Sequence, residues 1–238
     1  MKKLLENVLK NVEGFLSYRE ARALFRFGQE CTGRGAVVEI GSWKGKSTIC
    51  ISKGMRIFTQ KVIAIDPHIG SSENQKNGPI WTFDAFKRNV AEWGVAERIV
   101  PMVMTSEEAR KKISDPVEFL FIDGAHEYGF VKIDYDCWEP LLMDGGRIAF
   151  HDTQCDGVRR FVGETLPQAA MTKVDYADTL FFAKKKLRPS ALDRLRTVMM
   201  LRSFDINETA RKESKSRMRK KALKLWAQAV AAFARMLG

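Results

Sequence analysis

Apolar positions along this chain change their period twice. Leu4, Leu5, Val8, Leu9, Val12 and Phe15 recur at steps of three and four, which predicts an amphipathic helix over 3–16; Ala21, Leu24 and Phe25 predict a second over about 18–30. The period then shortens. AVVEI (36–40), KVIAI (61–65), RIVPMV (98–103), EFLFI (118–122) and GRIAF (146–150) are short, β-rich and almost continuously apolar, as strands buried on both faces of a parallel sheet should be. Helical patterns at 46–57, 82–93, 106–113 and 128–142 separate them. Such alternation predicts a doubly wound α/β fold. A helix near 156–165 follows, and MTKVDYADTLFFAKK then predicts two short strands turning at Ala177-Asp178. Past Lys184-Lys185-Lys186, Ser190 and Asp193 form a capping box for a helix over about 191–203, and Asp205 or Glu208 is expected to cap another running to about 237.

Composition narrows the class. The chain has 238 residues, 45% apolar and 29% charged, which supports a sizeable core and excludes a disordered chain. It lacks the run of about 18 apolar residues that a membrane span needs. The four cysteines (Cys31, Cys50, Cys137, Cys155) are scattered and read as reduced thiols. Glu6 and Lys10 interrupt any signal core behind the basic start, so a cytoplasmic location is expected. The net charge of +11 is unevenly spread. Residues 184–238 carry 16 Lys and Arg against 4 Asp and Glu, whereas the other 183 residues carry 24 against 25. A neutral body with a basic appendage is not the pattern of a uniformly basic nucleic-acid-binding domain.

Two stretches carry candidate chemistry. In Val38-Glu39-Ile40-Gly41-Ser42-Trp43-Lys44-Gly45-Lys46-Ser47-Thr48 a buried strand meets a glycine turn and opens a helix, whose free N–H groups suit an anion. The next strand ends at Asp66, about where a nucleotide-binding fold places the acid that accepts ribose hydroxyls; a strand-end Asp also serves as a turn former. In the second stretch, Phe121-Ile122-Asp123-Gly124-Ala125-His126-Glu127-Tyr128, Asp123 ends a buried strand, and His151-Asp152 ends the next. Two carboxylates and two imidazoles then converge on one crevice, with His68 at its rim, an arrangement that is costly unless the groups are paired, protonated or metal-bound. His126 is a candidate general base, although it and His151 would equally serve to orient the carboxylates. Residues 69–82 are polar and glycine-rich, as a lid, an acceptor loop or a plain connection would be.

EIGSWKGKST, AIDPH, FLFIDGAHEY, LLMDGGRIAFHDT and TLFFAKK together resemble class I S-adenosylmethionine-dependent methyltransferases, in particular the small O-methyltransferases related to the catechol and caffeoyl-CoA enzymes. The resemblance runs from about residue 12 to 186. It implies a Rossmann-like, doubly wound seven-stranded sheet with an antiparallel last strand, the domain spanning 1–186, the first helices (within 1–35) covering the cofactor site, and 187–238 a basic helical extension. By the same resemblance Glu39, Gly41, Ser42, Trp43, Gly45 and Ser47 would line the methionine end of S-adenosylmethionine, Asp66 would hold the ribose, Ser106 and Glu107 would lie by the adenine, and Asp123 would border both cofactor and acceptor. Catalysis would fall to His126, Asp123 and Asp152. In metal-dependent relatives the positions of Asp123 and Asp152 bind a divalent ion such as Mg²⁺. The third ligand there is an amide or carboxylate, where this chain has Thr153; His151 or His126 would have to compensate.

The tail admits several partners. Residues 211–224 hold eight basic residues and one acid, next to the apolar LWAQAVAAFARML. This suits the inner face of an anionic membrane through 205–238. Leu223, Trp226, Val230, Phe233 and Leu237 also make a short heptad seam for a homo-oligomer, and the blandest reading packs the helix on the body. Nucleic acid ranks lower for want of interleaved aromatics. The expected activity is O-methylation of a small hydroxylated molecule, sugar or glycolipid. The alternatives are a non-catalytic cofactor-binding scaffold and an RNA methyltransferase using the tail as a clamp.

Overall fold

A computed structural model describes residues 1–70, 80–212 and 217–237. Two helices, α1 (Lys2–Asn11) and α2 (Tyr18–Glu30), precede the sheet. Strands β1 (Ala36–Ile40), β2 (Val62–Ile65), β3 (Ile99–Met102), β4 (Val117–Ile122) and β5 (Leu142–Phe150) alternate with α3 (Lys46–Gly54), α4 (Phe83–Glu92), α5 (Ser106–Arg110) and α6 (Tyr128–Trp138). Helix α7 (Asp156–Thr165) leads to the hairpin β6 (Met171–Ala177) and β7 (Leu180–Lys185), and the chain ends with α8 (Ala191–Lys212) and α9 (Arg217–Met236).

The seven strands order as β3-β2-β1-β4-β5-β7-β6. The first five are parallel, while β7 runs antiparallel to β5 and to β6. Every side chain of β4 (VEFLFI) is buried, because β4 is flanked by strands on both edges and helices on both faces. One core layer holds Val38, Leu120, Ile148 and Phe150 against α6 and α7; the other holds Val37, Phe119, Phe121 and Ala149 against α1 to α3. Strand order reverses between β1 and β4, so their carboxyl ends flank the crevice where ligands bind in such sheets.

Three expectations are corrected. Helix α1 stops at Asn11, with Val12 extended and Gly14 at φ +146°, so Phe15 leaves the apolar stripe and is 83% exposed. Helix α8 does not end near 203. It runs on to Lys212, because Met200 and Phe204 pack on Phe181 and Tyr176 and hold the helix along the sheet. Asp205 and Glu208 therefore lie inside a helix. Asp205 takes two bonds from Arg159, and Glu208 pairs with Arg211. The Ser190/Asp193 capping box forms as expected: Ser190 Oγ accepts from the Asp193 amide (3.2 Å) and Asp193 Oδ2 from the Ser190 amide (2.7 Å). The loop expected over 69–82 lies for the most part outside the described residues.

Candidate active site

At the carboxyl ends of β1, β2, β4 and β5 lies a cavity of about 750 Å³. The β1–α3 turn forms one wall. Gly41 has φ +87°, and a Cβ there would stand 2.0 Å from the Asp123 carbonyl oxygen; only glycine lets the ends of β1 and β4 meet. Gly45 (φ +88°) lies behind the turn against Phe86, off the cavity surface. Gly41, Ser42, Trp43 and Ser47 line the cavity. Trp43 sits in the left-handed region (φ +46°), and Asp66 Oδ2 accepts from its amide at 2.7 Å. Asp66 Oδ1 accepts from the His68 amide at 2.6 Å. Asp66 is thus a turn former and a lining residue at once, each oxygen keeping a lone pair for a ligand. Ser106 and Glu107 border the opposite end, where Ser106 Oγ donates to Asp134.

Glu39 is displaced from its expected place. Side chains alternate along β1, so Ile40 borders the cavity while Glu39 points under α3, fully buried and bonded by Thr48 Oγ1. Burial pushes its pKa up to about 8; the Ser47 and Thr48 hydroxyls oppose this, and the charges of Asp123 and Asp66 add to it. Glu39 is therefore protonated at neutral pH. Between its ordinary value of 4.5 and about 8, the folded chain holds a proton that the unfolded chain has released. Its contribution to stability falls as pH rises through that window and levels off above it. Glu39→Gln should fold and flatten that slope by on the order of 1 kcal/mol per pH unit. Chemical denaturation of both proteins from pH 5 to 8.5 checks this; parallel profiles would mean an ionised Glu39. His68 is likewise off the cavity surface, buried against Phe83 and Phe86 with Nδ1 2.8 Å from Thr82 Oγ1.

The centre of the site is His151. Its ring is buried, with Nδ1 3.0 Å from Asp123 Oδ1 and 3.2 Å from Asp152 Oδ2. Nε2 is 3.5 Å from Glu20 Oε2, an ion-pair distance rather than a good hydrogen bond. Burial alone would lower the His151 pKa. The Asp123 charge, with bonds to Asp123, Asp152 and Glu20, outweighs it and raises the pKa well above the ordinary 6.5. His151 is an imidazolium ringed by three carboxylates. Burial raises the Asp123 pKa; for Asp152 the bonds from His126 and His151 outweigh burial and hold it far below the usual range. Asp152 itself stands at φ +51°, a strained conformation of the kind that recurs at functional sites. His126 lines the cavity, with Nε2 3.1 Å from Asp152 Oδ2, so a carboxylate orients its ring.

Glu20 and Lys46 were not anticipated. Glu20 closes a capping box with Ser17 at the start of α2, and its Oε1 accepts from the amide (2.8 Å) and hydroxyl (2.6 Å) of Thr179 at the β6–β7 tip. The spacing Ser17-x-x-Glu20 carries the cap signal, but nothing local marks the partner 159 residues away. Lys46 Nζ donates to the carbonyls of Gly14 (2.7 Å) and Leu9 (3.2 Å), which holds the segment with Glu13, Gly14, Phe15 and Leu16 along the cavity mouth.

The expected Mg²⁺ does not fit these residues. Asp123, His126 and Asp152 bring one ligand atom each to within 4.8 Å of one another. Mg²⁺ demands near-octahedral oxygen ligands, whereas one of the three groups in this cluster is an imidazole. The carboxylate oxygens that face each other already accept from His151, a cation that a dication would have to approach. Thr153 cannot serve as third ligand: its amide and hydroxyl both donate to the Thr179 carbonyl (3.1 and 2.6 Å), turned away from the cavity. His151 stands between the two carboxylates, whose charge favours its protonated form.

The family model described as a methyltransferase domain matches residues 38–153. That match covers just under half of the chain. Cofactor-bound Rv0187 from MTB shares the fold with a TM-score of 0.59 at 16% identity, over 79% of this chain and 92% of that one. An O-methyltransferase from Bacillus cereus, in complex with SAH, superposes with a TM-score of 0.55 at 16% identity, over 78% and 92%. The uncharacterized protein R132 of Acanthamoeba polyphaga mimivirus is 30% identical over 122 residues, 49% of this chain. The aligned stretch spans about half of that relative (51%). The seven-stranded sheet with its antiparallel β5-β7-β6 edge is the Rossmann-like fold shared with these structures.

Proposed function

We propose that this chain transfers a methyl group from S-adenosylmethionine to a hydroxyl oxygen of a small molecule, sugar or glycolipid. The observation that carries the reading is the cavity's charge. Among the described residues seven carboxylates line it (Glu13, Asp66, Glu107, Asp123, Glu127, Asp134 and Asp152) against Lys46, which is tied to backbone carbonyls, and the imidazoles of His126 and His151. Such a lining suits a cationic sulfonium and its ammonium, and repels a dinucleotide phosphate or an RNA backbone.

When bound, S-adenosylmethionine supplies an electrophilic methyl group on a positive sulfur. The chain supplies the rest. Gly41 and Ser47, with the free N–H groups at the start of α3, receive the amino-acid end; Asp66 accepts from the ribose; Ser106 and Glu107 border the adenine. Asp123 and Asp152, fixed by His151, orient the acceptor. His126, oriented by Asp152, takes the acceptor proton as the oxygen attacks, and returns it to solvent afterwards. A hydroxyl needs this apparatus, because its oxygen is a poor nucleophile while protonated.

Calorimetric titration with S-adenosylmethionine tests the reading. Micromolar binding is expected, weakened roughly 10- to 100-fold by Asp66→Asn, the worth of a hydrogen bond to a charged group. Neither added Mg²⁺ nor EDTA should alter binding or turnover. Absence of binding by folded protein would overturn the reading, and loss of turnover in EDTA would restore the metal.

A further inference from the structure

Helix α9 is held to the body by its narrowest side chains. Ala227, Ala231 and Ala234 are buried against α8, Ser203 Oγ donates to the Ala227 carbonyl (2.8 Å), and Arg235 makes two bonds to Asp175 (2.7 and 2.8 Å). This splits the heptad seam anticipated from the sequence: Leu223 and Val230 turn partly inward, while Trp226 and Phe233 do not. What faces outward is apolar. Leu225 (57% exposed), Trp226 (59%), Phe233 (55%) and Met236 (82%) stand in solvent, with exposed Ala229 and Ala232 among them. At 100° per residue these six share one arc of about 120°, and Lys221, Lys224 and Arg235 lie along one border of it. Four large apolar side chains on one outward helix face are more than scattered surface residues account for.

We propose that this face of α9 docks on an anionic membrane surface, the apolar arc entering the headgroup boundary while Lys221 and Lys224 meet lipid phosphates. Charge selects the occupant. A second copy across a two-fold axis would set one lysine border against another, in a segment that already carries 16 basic residues against 4 acidic ones. Nucleic acid would meet a helix whose outward centre, among the described residues, is alkyl and alanine and offers no cation. An anionic bilayer satisfies both parts of the face, and a Trp at the edge of the apolar arc is where an interfacial helix meets the headgroup level. No helix among the described residues is long and apolar enough to cross a membrane, so the contact is lateral. The inference is independent of the acceptor's identity. If the Proposed function holds, it places the cavity next to a lipid-borne acceptor.

The test uses the full chain and sucrose-loaded vesicles of phosphatidylcholine, with and without 30% phosphatidylglycerol. The protein should sediment with the anionic vesicles and stay in solution with the neutral ones. Leu225→Ser/Trp226→Ser/Phe233→Ser and, separately, Lys221→Glu/Lys224→Glu should each weaken binding about tenfold or more, since one lysine near such a surface is worth roughly fivefold. All substituted residues are exposed, so melting temperature and S-adenosylmethionine affinity should not move, which separates failure here from failure of the enzyme reading. Failure of the wild type to sediment, or equal sedimentation of the serine variant, would overturn the proposal. Light scattering that shows a dimer broken by Trp226→Ser would give the face to a second copy. Salt-dependent RNA binding without vesicle binding would give it to nucleic acid.

Discussion

His151→Gln should lower stability by about 3–5 kcal/mol, the cost of leaving buried charges without their partner. For a domain of this size that is a fall in melting temperature of roughly 6–20 °C. The reasoning is electrostatic. His151 stands within 3.5 Å of Glu20, Asp123 and Asp152, and its replacement leaves three carboxylates facing one another. Glu20, held down to about 2 partly by His151, would lose that support. A second substitution that removes a charge, Asp123→Asn, should recover part of the loss, the non-additivity expected of groups in contact. The folded His151 pKa is raised, so its contribution is fully present below about 6.5 and is lost as pH rises through the folded value. Thermal melts of the single and double variants between pH 6 and 9 measure both effects. Equal melting of wild type and His151→Gln would show that the imidazole is neutral and does not act as the counter-ion.

His126→Ala should leave S-adenosylmethionine affinity unchanged and reduce kcat by about 10²- to 10⁴-fold, the usual worth of a positioned general base. Its neighbour Asp152 keeps bonds from His151 and from Gln154 Nε2 (2.7 Å), so the loss is not one of folding. Methyl transfer to a panel of hydroxylated acceptors, followed by release of S-adenosylhomocysteine, supplies the readout. A drop confined to KM would make His126 an acceptor-binding residue. An acidic limb of the pH–rate profile present in wild type and absent in the variant would assign the proton to this ring.

What was legible in the sequence was whatever short-range pattern controls. The β1 to β5 runs appear within a few residues of their expected places because β-branched runs between helical patterns have few other uses in a chain of this size. The β6–β7 turn was legible from Ala177-Asp178, and Asp178 does take the left-handed conformation (φ +53°). Gly41, Ser42, Trp43, Ser47, Asp66, Ser106, Glu107, Asp123, His126 and Asp152 all reach one cavity. What escaped was set by distance or facing. Glu39 and Gly45 belong to the right motif but point or lie away from the cavity. Glu20 acts through Thr179 and His151, partners that spacing cannot indicate. The role of Thr153 depended on where its hydroxyl turned, and it turned to a hairpin tip. The length of α8 depended on Met200 and Phe204 finding Phe181, a tertiary preference that overrides the cap signals at Asp205 and Glu208.

The packing of α8 and α9 also bears on how the protein is made. Met200, Phe204, Ala231 and Ala234 share a core layer with Val174, Phe181 and Phe150. The apolar face of β6 and β7 therefore stays uncovered until α8 has emerged and folded back on it, and Ala231 and Ala234 complete the layer when α9 follows. Nascent chains with a waiting apolar edge depend on chaperones and aggregate readily. A fragment trimmed after β7 would hold that unfinished state permanently, whereas the chain with α8 and α9 passes through it once.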